Sequence, residues 1–490
     1  MHPVLAGLTV FSTSAAVLVL EILAGRLLAP FVGESLETYT GIIGVVLAGI
    51  AVGSWQGGRL ADRIAPHRLL APQILLGGVL ALLVVPIVTA LGSALQGGGP
   101  AAILLLTTAG FFAPAAVLSA VTPTVIKIQL GDLEQTGSVV GRLSALSTAG
   151  AILGTFLTGF VLVGTFATSD LTLGVGLALL AGGAVAWWRL GPHGDRRLRG
   201  AVAVAVLAAA LTGAANPVCD HESRYHCAQI VPDPEREHGY TLVLDALPHS
   251  YVDLEDDAHL EFDYMRMFGD VLSVAAPEGE PLDTLHLGGG ALSLPRYLDE
   301  TRPGSTSRVL EIDPMLADLA ERELGYEPTE AIEVVTADAR LALEEQPDAA
   351  FDVVVGDTFA GLAVPWHLTT AEVAAEVSRT LAPEGLYTVN LIDRPPMDFL
   401  RAKAATLDAV FDHVAALGAP ERFAEDEGGN VVLVASHAPL DLEGIAAAID
   451  AREGEQVVLD EAATAELAAQ GAVLRDDFAP VDQLLTPLAP

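Results

Sequence analysis

Apolar positions are distributed very unevenly along this 490-residue chain. Near-continuous apolar runs occur at about 4–23, 39–55, 69–91, 101–121, 144–166 and 171–188. Each is long enough to cross a hydrocarbon core of roughly 30 Å as a helix. A seventh run, 201–215, is Ala-rich and short. The first run has no basic segment before it and is followed by further runs, so it reads as a span and not as a cleavable signal. Beyond residue 283 the pattern changes to short apolar strands alternating with amphipathic helices. Strands are predicted at 283–287, 308–312, 332–336, 351–356, 385–390 and 431–435, and helices at 315–324, 339–344, 370–381 and 399–411. Such alternation predicts a doubly wound, parallel, Rossmann-like sheet. Between the two patterns, 224–253 alternates with period two and predicts a small antiparallel cap. The expected organisation is a transmembrane helical domain (1–215) of six or seven spans, a β-rich cap (216–282) and an α/β domain (283–490).

Charge follows the same partition. Up to residue 200 there are ten basic and eight acidic residues; from 201 onward there are 15 basic against 54 acidic. A surface this acidic repels nucleic acid and anionic lipid headgroups, which excludes nucleic acid as a partner. Lys127 and Lys403 are the only lysines. Acid excess with lysine avoidance predicts a high-salt setting, where screening removes the self-repulsion. Arginines cluster at 59–68 and 189–199, which places those loops and the N-terminus in the cytoplasm. Six spans then leave the acidic domain cytoplasmic, and a seventh places it outside. Glu21 and Arg26, in or at the end of the first span, are costly there; a functional or paired role is one expectation, and snorkelling of Arg26 to the interface with Glu21 on a polar seam is the other.

Ligands of doubly wound sheets bind at the carboxyl ends of the strands. Here those ends carry Gly288, Gly289 and Gly290, then Glu311, Asp338 and Asp357 after the next three strands. Glycines permit close backbone approach, Glu311 is placed for ribose hydroxyls, Asp338 for an adenine amino group and Asp357 for a reacting centre. Helix capping is the alternative role for the three acids. No lysine follows the glycines to hold a triphosphate, and a second mononucleotide half is lacking, so an adenosyl sulfonium fits better than a nucleoside triphosphate or dinucleotide. With two cysteines in all, no zinc cluster or other metal centre is expected.

These residues, with Leu244 to Leu254, Val309 to Pro314, Ala337 to Arg340, Asp352 to Asp357 and Asp476 to Pro480, resemble the spermidine synthase (polyamine aminopropyltransferase) family. The whole chain resembles fused membrane proteins of the spermidine synthase-like type. Gly58-Arg59-Leu60-Ala61-Asp62-Arg63 resembles the loop between the second and third helices of major facilitator superfamily transporters, where Asp and Arg brace helix ends. The family resemblance implies that Gly288 to Gly290, Glu311 and Asp338 hold decarboxylated S-adenosylmethionine or S-adenosylmethionine. It further implies that Asp357 helps deprotonate an attacking amine and that His249 and Tyr264 line the substrate site. No prosthetic group is implied. Three family acids are missing: Ala291 follows the glycines, Ala360 stands three residues after Asp357, and Arg266 replaces the Glu after Tyr264. The reading is a membrane-embedded transferase, moving an aminopropyl group to an amine, with an altered acceptor site. Methyl or alkyl transfer from S-adenosylmethionine, and a non-catalytic transporter or sensor of nucleoside or polyamine, are the alternatives.

Cys219 and Cys227 are eight positions apart just after the seventh run, close enough for a disulfide or for two separate buried thiols. A disulfide, a seventh span and the basic loop before it agree on an extracytoplasmic domain, the placement favoured here.

Overall fold

The structure, a computed structural model, describes residues 1–95, 99–131, 136–190, 219–359, 361 and 363–485. The seventh run, most of the second arginine cluster, Ala360 and the 215/216 boundary lie outside the described residues. The chain forms two compact units, Met1–Ala228 and Gln229–Leu488.

The first unit contains six helices long and apolar enough to cross a membrane: α1 Pro3–Val32, α2 Leu36–Arg63, α3 Pro66–Leu95, α4 Gly99–Gln129, α5 Thr136–Leu162 and α6 Thr168–Arg189. Small residues set their packing, because close backbone approach maximises dispersion contact where lipid competes equally for apolar side chains. Gly49, Gly53 and Gly57 lie on one face of α2 against Phe112 to Ala120 of α4. Gly150 and Gly154 of α5 lie against Phe11 and Ala15 of α1. Ser14 and Ser147 add a 2.6 Å hydrogen bond between α1 and α5. The Gly58–Arg63 motif, expected as a loop, forms the last turns of α2, and its Asp62 accepts a 2.7 Å bond from Lys127 at the end of α4. Arg26 is paired: its guanidinium donates to the carbonyls of Ser223 (2.6 Å) and Arg224 (3.0 Å) and lies 3.8 Å from the Glu222 carboxylate. Glu222 in turn accepts from the Thr168 backbone N–H at 3.0 Å and from the Thr168 hydroxyl. Cys219 and Cys227 close this segment as a disulfide, with Cα atoms 5.1 Å apart.

The antiparallel cap sheet runs β1 (His221–Glu222), β2 (Cys227–Pro232), β3 (Gly239–Leu244) and β4 (Leu247–Asp253) in that order. The main sheet has eight strands in the order β12-β10-β11-β9-β8-β5-β6-β7. Its parallel part is β5 (Asp283–Leu287), β6 (Thr306–Glu311), β7 (Ile332–Thr336), β8 (Phe351–Gly356) and β9 (Leu381–Asp393). The expectation of a wholly parallel sheet is corrected here. β10 (His413–Gly418), β11 (Gly429–Ser436) and β12 (Val457–Leu459) run antiparallel to their neighbours. The connection from β10 to β11 holds only the short helix Pro420–Phe423, so the chain turns back on itself instead of crossing over.

Successive residues of β8 serve opposite faces. Val354 packs with helices Ala371–Thr380 and Asp398–Asp408, while Val353 and Val355 pack with Asp263–Val274, Ser293–Thr301 and Leu442–Ala451. Helices Asp263–Val274 and Ser293–Thr301 were not in the predicted set, and the first of them lies within the segment expected to be a β-rich cap. Lys403 is fully buried on Asp398–Asp408, donates to the Thr369 carbonyl at 3.1 Å, and is held down to about 7 by burial.

Candidate active site

The parallel strands deliver the candidate residues to one edge of the second unit. β5 ends in Leu287 and turns through Gly288 (φ 90°) and Gly290 (φ 50°), backbone conformations that L side chains rarely adopt. The turn is cramped as well. A β-carbon at Gly288 would overlap the Asp357 carbonyl oxygen, and one at Gly290 would overlap the Ser250 hydroxyl. Backbone bonds from Gly288 N–H to Leu310 and from Asp357 N–H to Leu287, each 2.9 Å, tie the tips of β5, β6 and β8 together.

Glu311, at the end of β6, is buried and braces this turn. One carboxylate oxygen accepts from Gly289 N–H (2.8 Å) and Gly290 N–H (3.4 Å), the other from Asp313 N–H (2.8 Å). Burial raises its pKa, and the three backbone donors oppose that rise. Asp338 caps helix Ala339–Glu344, one oxygen accepting from Arg340 N–H at 2.8 Å. The capping alternative is therefore realised for Asp338. Asp313 caps the helix after β6 in the same way.

Asp357 follows β8 and is pushed up to about 7, chiefly by burial, against hydrogen bonds from Asn390 and Tyr264 that favour its charged form. The Asn390 amide donates to it at 3.0 Å. Tyr264, buried at the start of helix Asp263–Val274, places its hydroxyl 2.9 Å from the His249 carbonyl. Burial and the neighbouring Asp357 hold the phenol well above its ordinary range. The His249 imidazole borders the turn, with Nδ1 3.4 Å from where a Gly290 β-carbon would stand. Gly288 to Gly290, Glu311, Asp357, Tyr264 and His249 thus converge, and Asp338, after β7, is separated from Asp357, after β8, by the two strands β5 and β6.

At the departures from the family pattern, Ala291 is fully buried and its N–H donates to Ser250 Oγ at 3.2 Å. Arg266 donates to the Leu260 carbonyl at 2.7 Å and to Asp263 at 3.4 Å. Sequence reasoning missed Asn390, Asn430 and Ser250. The available signal was an amide within an apolar strand, Val389-Asn390-Leu391 and Gly429-Asn430-Val431. It also did not foresee that Asp476 ties the C-terminal segment back, 2.8 Å from Arg340 and 2.7 Å from the Thr370 hydroxyl. Among the described residues no group of three His, Cys, Asp or Glu side chains is placed to hold a metal ion.

No family model matches the chain. Over 180 residues it is 29% identical to the polyamine aminopropyltransferase of Vibrio vulnificus (strain CMCP6), covering 36% of this chain and 57% of that protein. Over 141 residues it is 32% identical to the eEF1A lysine and N-terminal methyltransferase of Bos taurus, covering 27% of this chain and 20% of that protein. The chain thus spans little more than half of the first relative and a fifth of the second. The crystal structure of a probable spermidine synthase from Corynebacterium glutamicum ATCC 13032 superposes with a TM-score of 0.50 at 26% identity, covering 54% of this chain and 99% of that one. The fold of the second unit is therefore spermidine synthase-like, of the Rossmann type that methyltransferases share, and the relatives are transferases.

Proposed function

We propose that this protein is a membrane-embedded transferase that uses an adenosyl sulfonium donor. The observation that carries the reading is the buried carboxyl of Asp357, held by Tyr264 and Asn390 beside a glycine turn that Glu311 braces. In the proposed reaction an acceptor lone pair attacks a carbon attached to the sulfonium, and the carbon–sulfur bond breaks with its electrons going to sulfur. The proton lost by the acceptor passes to Asp357. A base with a pKa near 7 suits that task at neutral pH. Glu311 is placed to accept from a ribose hydroxyl through the oxygen that bonds only Asp313 N–H, which keeps a lone pair, while its other oxygen already accepts from Gly289 and Gly290.

The acceptor site supports a change from the aminopropyltransferase pattern. A charge-assisted bond to an amine contributes about 1.5–3 kcal/mol, and Ala291 and Arg266 supply no such acid. The buried Ala291 favours the second reading, methyl or alkyl transfer from S-adenosylmethionine itself, because nothing there repels the methionyl carboxylate. Calorimetry of the full-length protein in high salt tests these readings. Binding of decarboxylated S-adenosylmethionine alone supports aminopropyl transfer, and binding of S-adenosylmethionine supports methyl or alkyl transfer. Binding of neither removes the transferase reading and leaves a structural or sensory domain.

Membrane embedding is supported by the six helices and by apolar side chains that remain exposed on them, including Phe156, Phe160 and Trp188. The proposed placement of the second unit is extracytoplasmic, with the N-terminus inside. Two anchors support it. Arg26, near the far end of α1, and Thr168, at the start of α6, share one side of an alternating bundle, and both contact Glu222. The other end of α6, at Arg189, lies 22 residues away, which is about 33 Å along a helix. Arg189 and Cys219 thus fall at opposite ends of the bundle, and the disulfide fits the oxidising side.

A further inference from the structure

We infer that Asn390 and Asn430 form a two-amide relay that positions the Asp357 carboxyl and sets when it releases its proton to water as a cationic donor binds. The inference rests on the adenosyl-sulfonium reading above.

The relay crosses three neighbouring strands. Asn430 on β11 donates its amide to Asn390 Oδ1 at 3.0 Å, and Asn390 on β9 donates to Asp357 Oδ1 at 3.0 Å. Register makes the first contact possible: Asn390 faces Val432 and Asn430 faces Ile392, so the two asparagines are diagonal neighbours on one side of the ribbon. A side-chain amide has one acceptor oxygen and one donor group. With its oxygen held by Asn430, Asn390 has only its N–H left to offer Asp357. Turned the other way, its carbonyl would oppose the carboxylate.

Their setting argues that these amides do more than fill space. Asn390 is 1% exposed within a buried stretch that runs from Leu386 to Leu391, and Asn430 precedes five fully buried apolar residues. Buried amides are unfavourable unless bonded, and replacing both members of such a pair with apolar side chains is often neutral. The group that needs the pair is the carboxyl at the end of the chain. Tyr264, from helix Asp263–Val274, is the titratable side chain that bonds it; the Gly288 backbone closes the β5 side, and His249 and Glu311 border the same turn. No cation among the described residues pairs with it. Without Asn390, the carboxyl would hold its proton to higher pH, and less of it would be ionised to serve as a base at neutral pH.

A proton balance follows. When a sulfonium enters, the O–H bond of protonated Asp357 breaks, the proton passes to water, and the carboxylate left behind faces the ligand's positive charge. A neutral nucleoside causes no such loss.

The test is calorimetry of the full-length protein in detergent and high salt, repeated in two buffers of different ionisation heat from pH 6 to 8.5. S-adenosylmethionine is the cationic probe and methylthioadenosine the neutral one. The expected result is proton release with the first and none with the second. In Asn390→Leu the release profile moves upward by about one pH unit, the effect of losing one donor to the charged form. Affinity for methylthioadenosine is expected to stay within about twofold, since the Asn390 side chain bonds Asp357 and Asn430 and none of the residues proposed to hold the nucleoside. Asn430→Leu, which leaves the contact to Asp357 in place, moves the profile the same way by less. If the parent binds neither probe, the adenosyl reading falls and the relay with it. If the parent binds and releases a proton but both variants give its unshifted profile, the relay alone is overturned.

Discussion

Gly288 and Asp357 meet backbone to backbone, so closely that the glycine has no room for a β-carbon beside the Asp357 carbonyl oxygen. The tips of β5 and β8 are thereby fixed against each other, and the Asp357 carboxyl, the proposed base, is set beside the turn proposed to receive a nucleoside.

Gly288→Ala therefore meets both a disallowed backbone conformation and a collision. Strain of this kind costs about 1–3 kcal/mol, and the strand tips must part to relieve it. The expected outcome is a lowered melting temperature together with at least tenfold weaker binding of methylthioadenosine, read by thermal scanning and calorimetry on the same sample. Unchanged binding would show that the turn takes no part in the ligand site.

Glu311→Ala removes the acceptor for Gly289, Gly290 and Asp313. Adenosyl ligands should bind more weakly by about 1.5–3 kcal/mol, the usual worth of bonds to a charged group. Glu311→Gln keeps one acceptor oxygen and should fall between parent and alanine variant. Parent-like affinity in the alanine variant would restrict Glu311 to bracing the turn.

Asp357→Asn should leave methylthioadenosine binding largely intact and reduce turnover by roughly 10²–10⁴-fold, the usual contribution of a positioned base. In the parent, kcat/KM should rise with pH and level off above about 7, where Asp357 of the ligand-free protein is ionised. Stability moves the other way. The folded state holds a proton that the unfolded chain releases between the ordinary carboxylate range and about 7, so stability falls across that window and then flattens. A rate profile without this rise would remove Asp357 from the mechanism.

The proposed topology predicts that an impermeant thiol reagent added to intact cells labels Cys219 and Cys227 only after a reductant is supplied. Labelling that requires lysis and no reductant would place the second unit in the cytoplasm.

The parts of this molecule legible in the sequence were those governed by a single period or a single residue type. The long apolar runs and the acids ending β6 and β8 are of that kind. Less regular features were hidden for physical reasons. β10 reads Val414-Ala415-Ala416-Leu417, which a buried helix would show equally well, and β12 is three residues long. Helix Leu442–Ala451 is rich in alanine, and its buried face reduces to Ile445 and Ile449. Asn390 and Asn430 are polar interruptions of apolar strands that went unnoticed in the sequence, because a strand's pattern does not say which residue its neighbour presents. Only the order β11-β9-β8 joins them to Asp357. Asp338 was placed at the correct strand end, and its helix-capping bond depends on local backbone geometry that spacing alone does not reveal.

The groups that hold the reacting carboxyl, two amides and a phenol, carry no charge at neutral pH. Mobile ions weaken interactions between exposed charges and leave buried neutral hydrogen bonds almost untouched. Ionic strength therefore acts on the two layers of this protein separately. Its acidic exterior governs how large a fraction of molecules is folded at a given salt concentration. In the proposed reaction Asp357 is held by contacts that salt scarcely reaches, so a change in salinity should alter the fraction of folded molecules more than the turnover of each one.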